Sequence, residues 1–384
     1  MPFQDKFHLR IPGPTPIPPQ VQRAMTQPVI GHRSNLASRL IHECSERLKP
    51  VFGTSQQALI IAGSGTSALE AAVVNTLSPQ DEAIVVVTGA FGDRFAKIIQ
   101  KYGINIHRLD IPWGEACDPK QLADLLRKHP HTKGVFLTYC ETSTGVLNPI
   151  PELANTIRQN SDALVIVDGV SCVGAVPCQM DDWGVDIMVT GSQKALMLPP
   201  GLAFVAVSER AWNVISGNKQ PRFYLDLDAY RVKMELDTTP FTAAVSLLYG
   251  LKESLSILET EGFENVFARH ERLKNMTRAG IEASGLTLMT EDSFASPTVT
   301  SINTSHEKWD VEAFRKKMQD NGFFVAGGQQ HLKGKIFRIG HMGYCDEWDI
   351  LTVLAAIEVT LHQIGQPVEL GAATKAAQEV MLNV

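Results

Sequence analysis

Short apolar runs alternate with amphipathic helical segments over residues 58–207. Such runs are typical of strands that are covered on both faces, and the segments between them are long enough for crossover helices. The alternation therefore predicts an α/β fold in which a mostly parallel central sheet carries helices on both faces. The predicted strands cover residues 58–61, 83–87, 105–109, 134–138, 163–167, 185–189 and 202–207, the last of them antiparallel.

The pattern changes after residue 242, where two long helices and several short strands follow. A chain of 384 residues exceeds the ~250–300 residues at which chains usually split into domains. We therefore predict an N-terminal arm over 1–17, a large domain over 18–255 and a smaller α+β domain over 256–384. The elements predicted there are helices over 243–261, 262–284 and 346–364, strands of one small sheet over 298–302, 322–325 and 336–339, and a polar, alanine-rich tail.

Composition restricts the class of function. The hydrophobic and charged fractions, 44% and 20%, are ordinary for a globular protein, and a formal net charge of −6 gives no reason to bind nucleic acid or anionic lipid. No apolar run reaches the ~18 residues of a membrane span, and the N-terminus lacks the apolar region of a signal peptide. The six cysteines show no metal-site spacing, so we expect reduced thiols, no metal ion and a cytoplasmic location.

Lys194 follows a buried strand at the carboxyl edge of the predicted sheet. Ligands bind at this edge in open α/β sheets. Loss of solvation beside an apolar run would lower the pKa of the lysine and leave a neutral amine that can attack carbonyl groups. Taken alone, the residue could also be a surface lysine on a loop.

A glycine turn and a helix follow the strand at 58–61. Ser64, Gly65 and Thr66 place backbone N–H groups and the positive end of a helix dipole at one point, which predicts a phosphate site. The turn also matches the dinucleotide fingerprint, but no acidic residue follows the next strand at the required distance of ~20 residues. We therefore reject a nicotinamide site, while a turn needed only for packing remains the alternative.

Asp168 ends the strand at 163–167, on the same edge as Lys194. A carboxylate there needs a partner, and the ring nitrogen of pyridoxal 5′-phosphate is one that acidic side chains bind in enzymes. Capping of the next turn is the alternative role for this aspartate. With a phosphate site, a carboxylate and a lysine on one edge, the sequence predicts a pyridoxal 5′-phosphate site in which Lys194 forms the Schiff base.

Three motifs of the chain carry a family resemblance: Ala62–Glu70, Val167–Ser171, and Gly191–Ala195 with the following Pro199–Gly201. They resemble those of class V aminotransferases, most closely the alanine–glyoxylate, serine–glyoxylate and serine–pyruvate branch. The resemblance extends from Gly13 to about Glu358. It implies a fold-type-I, pyridoxal-phosphate-dependent homodimer whose active sites are shared between subunits.

The resemblance also implies roles for individual residues. Lys194 would hold the cofactor as an internal aldimine and move the proton in a ping-pong transamination, and Asp168 would pair with the ring nitrogen. Arg338 would bind the substrate α-carboxylate through its planar fork, with Gly13 as a second substrate contact. The other implied cofactor contacts are Ser64, Gly65, Thr66, Phe91 and Val170 on the two ring faces, Thr142, Gln193, and Thr242 from the partner subunit.

The implied substrates are a small amino acid and a 2-oxo acid. Alanine or serine would donate to glyoxylate, which gives glycine and pyruvate or hydroxypyruvate, and a small aldehyde acid would fit a pocket without a second carboxylate anchor. A ureidoglycine–glyoxylate aminotransferase belongs to the same branch and stays open. A redox or structural role of the kind labelled soluble hydrogenase subunit also stays open. A cysteine desulfurase is disfavoured because the loop over 327–334 contains no cysteine.

Overall fold

The computed structural model describes residues 7–383, so residues 1–6 of the predicted arm and residue 384 lie outside the described residues. The strands are β1 (His8–Leu9), β2 (Leu59–Gly63), β3 (Glu82–Val87), β4 (Asn105–Asp110), β5 (Thr132–Thr138), β6 (Cys140–Glu141), β7 (Val146–Leu147), β8 (Leu164–Asp168), β9 (Ile187–Gly191), β10 (Gly201–Val207), β11 (Thr287–Leu288), β12 (Val299–Asn303), β13 (Phe323–Phe324), β14 (Ala326–Gly327) and β15 (Ile336–Gly340). The α-helices are α1 (Pro19–Met25), α2 (Asn35–Phe52), α3 (Gly65–Thr76), α4 (Ala90–Lys101), α5 (Pro119–Lys128), α6 (Ile150–Asn160), α7 (Met180–Trp183), α8 (Glu209–Gly217), α9 (Leu227–Met234), α10 (Val245–Glu261), α11 (Phe263–Ala283), α12 (Val311–Asp320), α13 (Glu347–Gln363) and α14 (Ala372–Leu382).

Seven strands form the central sheet in the order β2-β10-β9-β8-β5-β3-β4. The neighbours from β9 to β4 are parallel, whereas β10 runs antiparallel to both β9 and β2. The inner strands β5, β8 and β9 are almost entirely buried and consist largely of apolar residues, as expected for strands covered on both faces. The predicted α/β class, the mostly parallel sheet and the antiparallel strand after residue 200 are confirmed.

The C-terminal part of the chain contains a four-stranded antiparallel sheet in the order β11-β12-β15-β14. The prediction that residues 322–325 add a strand to this sheet is wrong. β13 instead pairs in parallel with β1 of the N-terminal arm, where the rings of His8 and Phe323 stack with centroids 4.6 Å apart. The arm supplies a backbone partner for this segment, and the following residues, β14, join the sheet in its place.

The alanine-rich tail, predicted only from its composition, forms helix α14. Ala373 and Ala377 are fully buried, and their spacing of four residues places both on the face that packs against α11 and α13. The carboxylate of Glu358 accepts hydrogen bonds from the backbone N–H groups of Gly371 and Ala373, so a buried acid satisfies the beginning of this helix.

The described residues form two hydrophobic cores. One surrounds the central sheet, and the other lies between α11, α12, α13 and the small sheet. The division into 1–17, 18–255 and 256–384 stays a prediction. Among residues 7–383, no helix combines the length and the apolar character that crossing a bilayer requires.

Candidate active site

Lys194 lies three residues beyond β9, beneath the N-terminal arm. Its side chain is almost completely buried, with 7% of the residue exposed, and its Nζ donates a hydrogen bond to the carbonyl of Pro12. Thr15 holds the arm in place, because its hydroxyl donates to the carbonyl of Lys194 at 3.0 Å. The burial of Lys194 excludes the surface position that the sequence left open for the lysine. It also lowers the pKa of Lys194 to about 8.

Gly13 brings the arm against this lysine. Its φ of +123° is a backbone conformation that side chains disfavour, and a Cβ at this position would lie 2.8 Å from Cδ, Cε and Nζ of Lys194. The close approach therefore requires glycine. It makes residues 12–14 a wall of the site. The role of Gly13 as a substrate contact stays a prediction.

Asp168 lies at the carboxyl end of β8 and is 3% exposed. One carboxylate oxygen, Oδ1, accepts a hydrogen bond from the backbone N–H of Val170 at 2.9 Å. Burial raises the pKa of Asp168 to about 6, and the charge of Glu141 adds to the rise. A cationic donor in the neighbouring cavity would stabilise the ionised carboxylate.

Helix α3 begins at this cavity without a capping side chain. Ser64 occupies the N-cap position, but its side chain accepts no capping hydrogen bond, and no acidic residue lies in the first turn. Gln193 lies beside it with its side-chain Oε1 buried and without a hydrogen-bond partner. The free N–H groups and the positive end of the helix dipole make this point suitable for a phosphate.

Most of the predicted cofactor contacts come together in one cavity of about 260 Å³. The exceptions are Thr142, which lines an adjoining cavity of about 480 Å³, and Thr242, which is exposed and lies in a separate depression beside Thr239 and Phe241. The role of Thr242 toward a partner subunit stays a prediction. The predicted contacts lining the smaller cavity are Ser64, Gly65, Thr66, Phe91, Asp168, Val170, Gln193 and Lys194.

Arg338 lies in β15 at the larger cavity and is 5% exposed. Its Nε and Nη2 donate to the carbonyl of Gly327 at 2.9 and 2.7 Å, and its Nη1 donates to the carbonyl of Thr142 at 2.9 Å. No carboxylate within residues 7–383 forms an ion pair with this guanidinium. Burial lowers its pKa to about 10, so the site would gain from an anion such as a substrate carboxylate.

Glu141 is a site residue that we did not identify from the sequence. It is fully buried, and its carboxylate accepts hydrogen bonds from the N–H groups of Phe91 and Gly92 at 3.1 and 3.0 Å and from the hydroxyl of Ser143 at 2.5 Å. Burial raises its pKa, and these hydrogen bonds oppose the rise. Glu141 thereby fixes the first turn of α4, which carries Phe91 into the site. The available signal was an acidic residue three positions after the buried strand β5.

Arg94, one turn further along α4, was also missed. Its guanidinium lies 4.6 Å from the centroid of the Phe91 ring and lines the smaller cavity. Nothing in the sequence indicated this position, because an exposed arginine on an amphipathic helix is common.

One group away from these cavities could hold a metal ion. Possible ligand atoms of Glu82, His107 and His129 lie within 4.8 Å of one another beside the edge strand β4. The two imidazole rings stack with centroids 3.4 Å apart and planes inclined by 17°. Because ligand lone pairs lie in the ring plane, two nearly parallel stacked rings cannot both aim at one ion without rotating.

The smaller cavity fits pyridoxal 5′-phosphate group by group. The uncapped start of α3 suits the phosphate, Asp168 suits the protonated ring nitrogen, and Lys194 suits the carbonyl carbon. Val170 and Phe91 line the cavity between these groups. Gly65 permits the close packing of α3, since a Cβ there would lie 2.9 Å from Cγ2 of Val170.

Comparison with known proteins gives consistent similarities over nearly the whole chain. Residues 9–345 match the family model described as aminotransferase class-V. The chain is 41% identical over 366 residues to a protein named soluble hydrogenase, small subunit, from Synechococcus sp., covering 94% of this chain and 95% of that protein. It is 35% identical over 378 residues to the serine–glyoxylate aminotransferase of Arabidopsis thaliana, covering 97% and 94%.

A solved structure is similar over the same extent. The ureidoglycine–glyoxylate aminotransferase of Bacillus subtilis superposes with a TM-score of 0.94 at 32% sequence identity, covering 99% of each chain.

Proposed function

The chain belongs to the class-V aminotransferase family and has its fold-type-I architecture, and we propose that it transfers the amino group of alanine or serine to glyoxylate with pyridoxal 5′-phosphate as cofactor. The products would be glycine and pyruvate or hydroxypyruvate. The observation that carries the proposal is the cavity in which Lys194, Asp168 and the uncapped start of α3 meet.

The cofactor, when bound, supplies a carbonyl group that accepts and returns the amino group and a ring that withdraws electrons. Lys194 must leave the carbonyl of Pro12, and its neutral Nζ can then take the proton from the substrate Cα and return it. Asp168 would keep the ring nitrogen of the bound cofactor protonated through its carboxylate. Arg338 orients the substrate through its α-carboxylate and so aims the Cα–H bond toward Lys194.

The choice of substrates rests on similarity. The relatives named serine–glyoxylate and ureidoglycine–glyoxylate aminotransferases support glyoxylate as the acceptor. Ureidoglycine is a second candidate donor, favoured by the close structural match over 99% of both chains. The name of the Synechococcus relative keeps a redox or structural role as the alternative that the experiment must separate.

We further propose a cytoplasmic homodimer with shared active sites. Thr242 supports sharing, since it is exposed and lies outside the cavity that holds the other phosphate contacts of the same chain. All six cysteines are buried and unpaired, which supports a reducing compartment.

The test begins with the visible spectrum of the purified protein after incubation with pyridoxal 5′-phosphate. Borohydride reduction followed by peptide mapping should attach the cofactor to Lys194, and Lys194→Ala should abolish the attachment. Steady-state rates for alanine, serine and ureidoglycine against glyoxylate, pyruvate and hydroxypyruvate then identify the pair. A protein that neither binds the cofactor nor transaminates any of these pairs would contradict the proposal and favour the redox or structural role.

A further inference from the structure

The larger cavity extends from Arg338 to a polar face of helix α12. Four side chains of this helix line the cavity, at positions three and four residues apart that share one helix face. Two of them are cations, one is an anion and one is an amide. They are Glu312, Arg315, Lys316 and Gln319.

Gly327 separates the two arginines of the cavity. Its carbonyl accepts hydrogen bonds from Arg338, and a Cβ at this position would lie 2.5 Å from Nη1 of Arg315. The absence of a side chain at residue 327 leaves room for the Arg315 guanidinium beside the residue whose carbonyl Arg338 binds. The charge of Arg315 contributes to the low pKa of Arg338, so the two cations interact across the cavity.

The acidic side chain that lines the cavity, Glu312, does not balance these cations, and the buried Glu141, whose charge raises the pKa of Arg338, forms no ion pair with it. Arg315 pairs with Glu312, whose carboxylate lies 2.5 Å from Nη1, but this carboxylate is 43% exposed and comes from the same helix. Arg338 has no carboxylate partner within the described residues, and Lys316 adds a further positive charge at the opening. The cavity therefore offers two guanidinium groups for one resident carboxylate.

We propose that the site also accepts amino donors whose side chain ends in a carboxylate, such as aspartate, with Arg315 as the partner of the distal carboxylate. The proposal rests on the proposed transamination and extends its substrate class. Arg338 binds the α-carboxylate, and the distal carboxylate displaces Glu312 from Arg315. From the sequence we expected a pocket with no second group to bind a carboxylate. In this proposal Arg315 is that second group.

The experiment compares aspartate with asparagine, which has the same shape without the distal charge. In the wild-type enzyme, kcat/KM should be higher for aspartate. Arg315→Met should lower the ratio of kcat/KM for aspartate over asparagine by ~10–100-fold, the effect of losing a charge-assisted hydrogen-bonded pair. Lys317→Met is the matched control, because Lys317 is a cation of the same helix that does not line the cavity, and it should leave the ratio unchanged.

A binding measurement separates this proposal from the proposed function. Calorimetric titration of the cofactor-saturated protein should show tighter binding of succinate than of butyrate, and Arg315→Met should weaken succinate binding alone. If no amino acid is transaminated, the proposed function fails, while the succinate titration still decides the role of Arg315. Equal affinities for succinate and butyrate, or an aspartate-to-asparagine ratio that Arg315→Met does not change, would overturn the proposal.

Discussion

Replacement of Asp168 by asparagine should affect the cofactor-free and the cofactor-bound protein in opposite directions. The change removes the charge but keeps the oxygen that accepts the N–H of Val170, so the turn after β8 stays intact. The new amide N–H groups face the cavity, where water can accept their hydrogen bonds. The variant therefore isolates the effect of the buried carboxylate.

The magnitude follows from the pKa of Asp168. Burial raises it from 3.8 to about 6, which corresponds to about 3 kcal/mol in favour of the neutral form. Because the pKa is higher in the folded state, the neutral form of Asp168 favours folding. This contribution to the unfolding free energy is fully present below pH 3.8 and is lost as the pH rises through about 6. Relative to Asp168→Asn, the cofactor-free wild type should lose roughly 1 kcal/mol of unfolding free energy between pH 5 and pH 7.

The assay is denaturant unfolding of the cofactor-free wild type, Asp168→Asn and Asp182→Asn from pH 5 to pH 8. Asp182 is exposed, so its replacement controls for the loss of one negative charge. Added pyridoxal 5′-phosphate should stabilise the wild type more than Asp168→Asn, because only a carboxylate pairs with a protonated ring nitrogen. Parallel pH curves for the wild type and Asp168→Asn, or equal stabilisation of both by the cofactor, would refute the reasoning.

Three further predictions concern neighbouring residues. With a pKa of about 8, about a tenth of Lys194 is neutral at pH 7. The rate of cofactor uptake by the cofactor-free protein, measured by stopped-flow absorbance, should therefore rise toward pH 8 and then level off. A flat profile from pH 6 to 9 would contradict this. Gly13→Ala would place a Cβ 2.8 Å from Lys194 and strain the backbone, so the cofactor content of the protein after dialysis should fall. An unchanged content would argue against the N-terminal arm as a wall of the site. Arg338→Ala should raise the KM for alanine by ~30-fold or more while cofactor affinity changes little, and equal losses of both would argue against a carboxylate clamp.

The main features of the fold could be predicted because the central strands carry their own signal. β8 and β9 each begin with a run of apolar residues, and β5 contains the apolar run 135–137, which is typical of parallel strands that are covered on both faces. Helix α2 carries a recognisable signal at each end, because the Ser34 hydroxyl accepts the N–H of Ala37 and Gly53 adopts the left-handed conformation that ends a helix. The prediction was wrong for β13 because its partner, β1, lies more than 300 residues away in the sequence.

Some residues of the site could be predicted from the sequence and others could not. Asp168 and Lys194 could be predicted, because each follows a recognisable buried strand at the carboxyl edge of the sheet. The part played by α12 could not be predicted, since Arg315 is one of several cations on a charged amphipathic helix and only the tertiary packing turns it toward the cavity. The approach of Gly13 to Lys194 likewise depends on contacts between residues about 180 positions apart, which local patterns do not report.

The arrangement of the two cavities is consistent with the proposed role of one lysine toward both cofactor and substrate. Lys194, Phe91 and Gly13 line both of them, so Nζ lies at their boundary. On the smaller side, burial drives Asp168 toward its neutral form, and a protonated ring nitrogen would restore the carboxylate. On the larger side, Arg338 would fix a substrate carboxylate, because it forms no ion pair with an acid among the described residues. The amine between them has its pKa lowered to about 8, so it can both release and accept a proton near neutral pH, which a proton transfer at the substrate Cα requires.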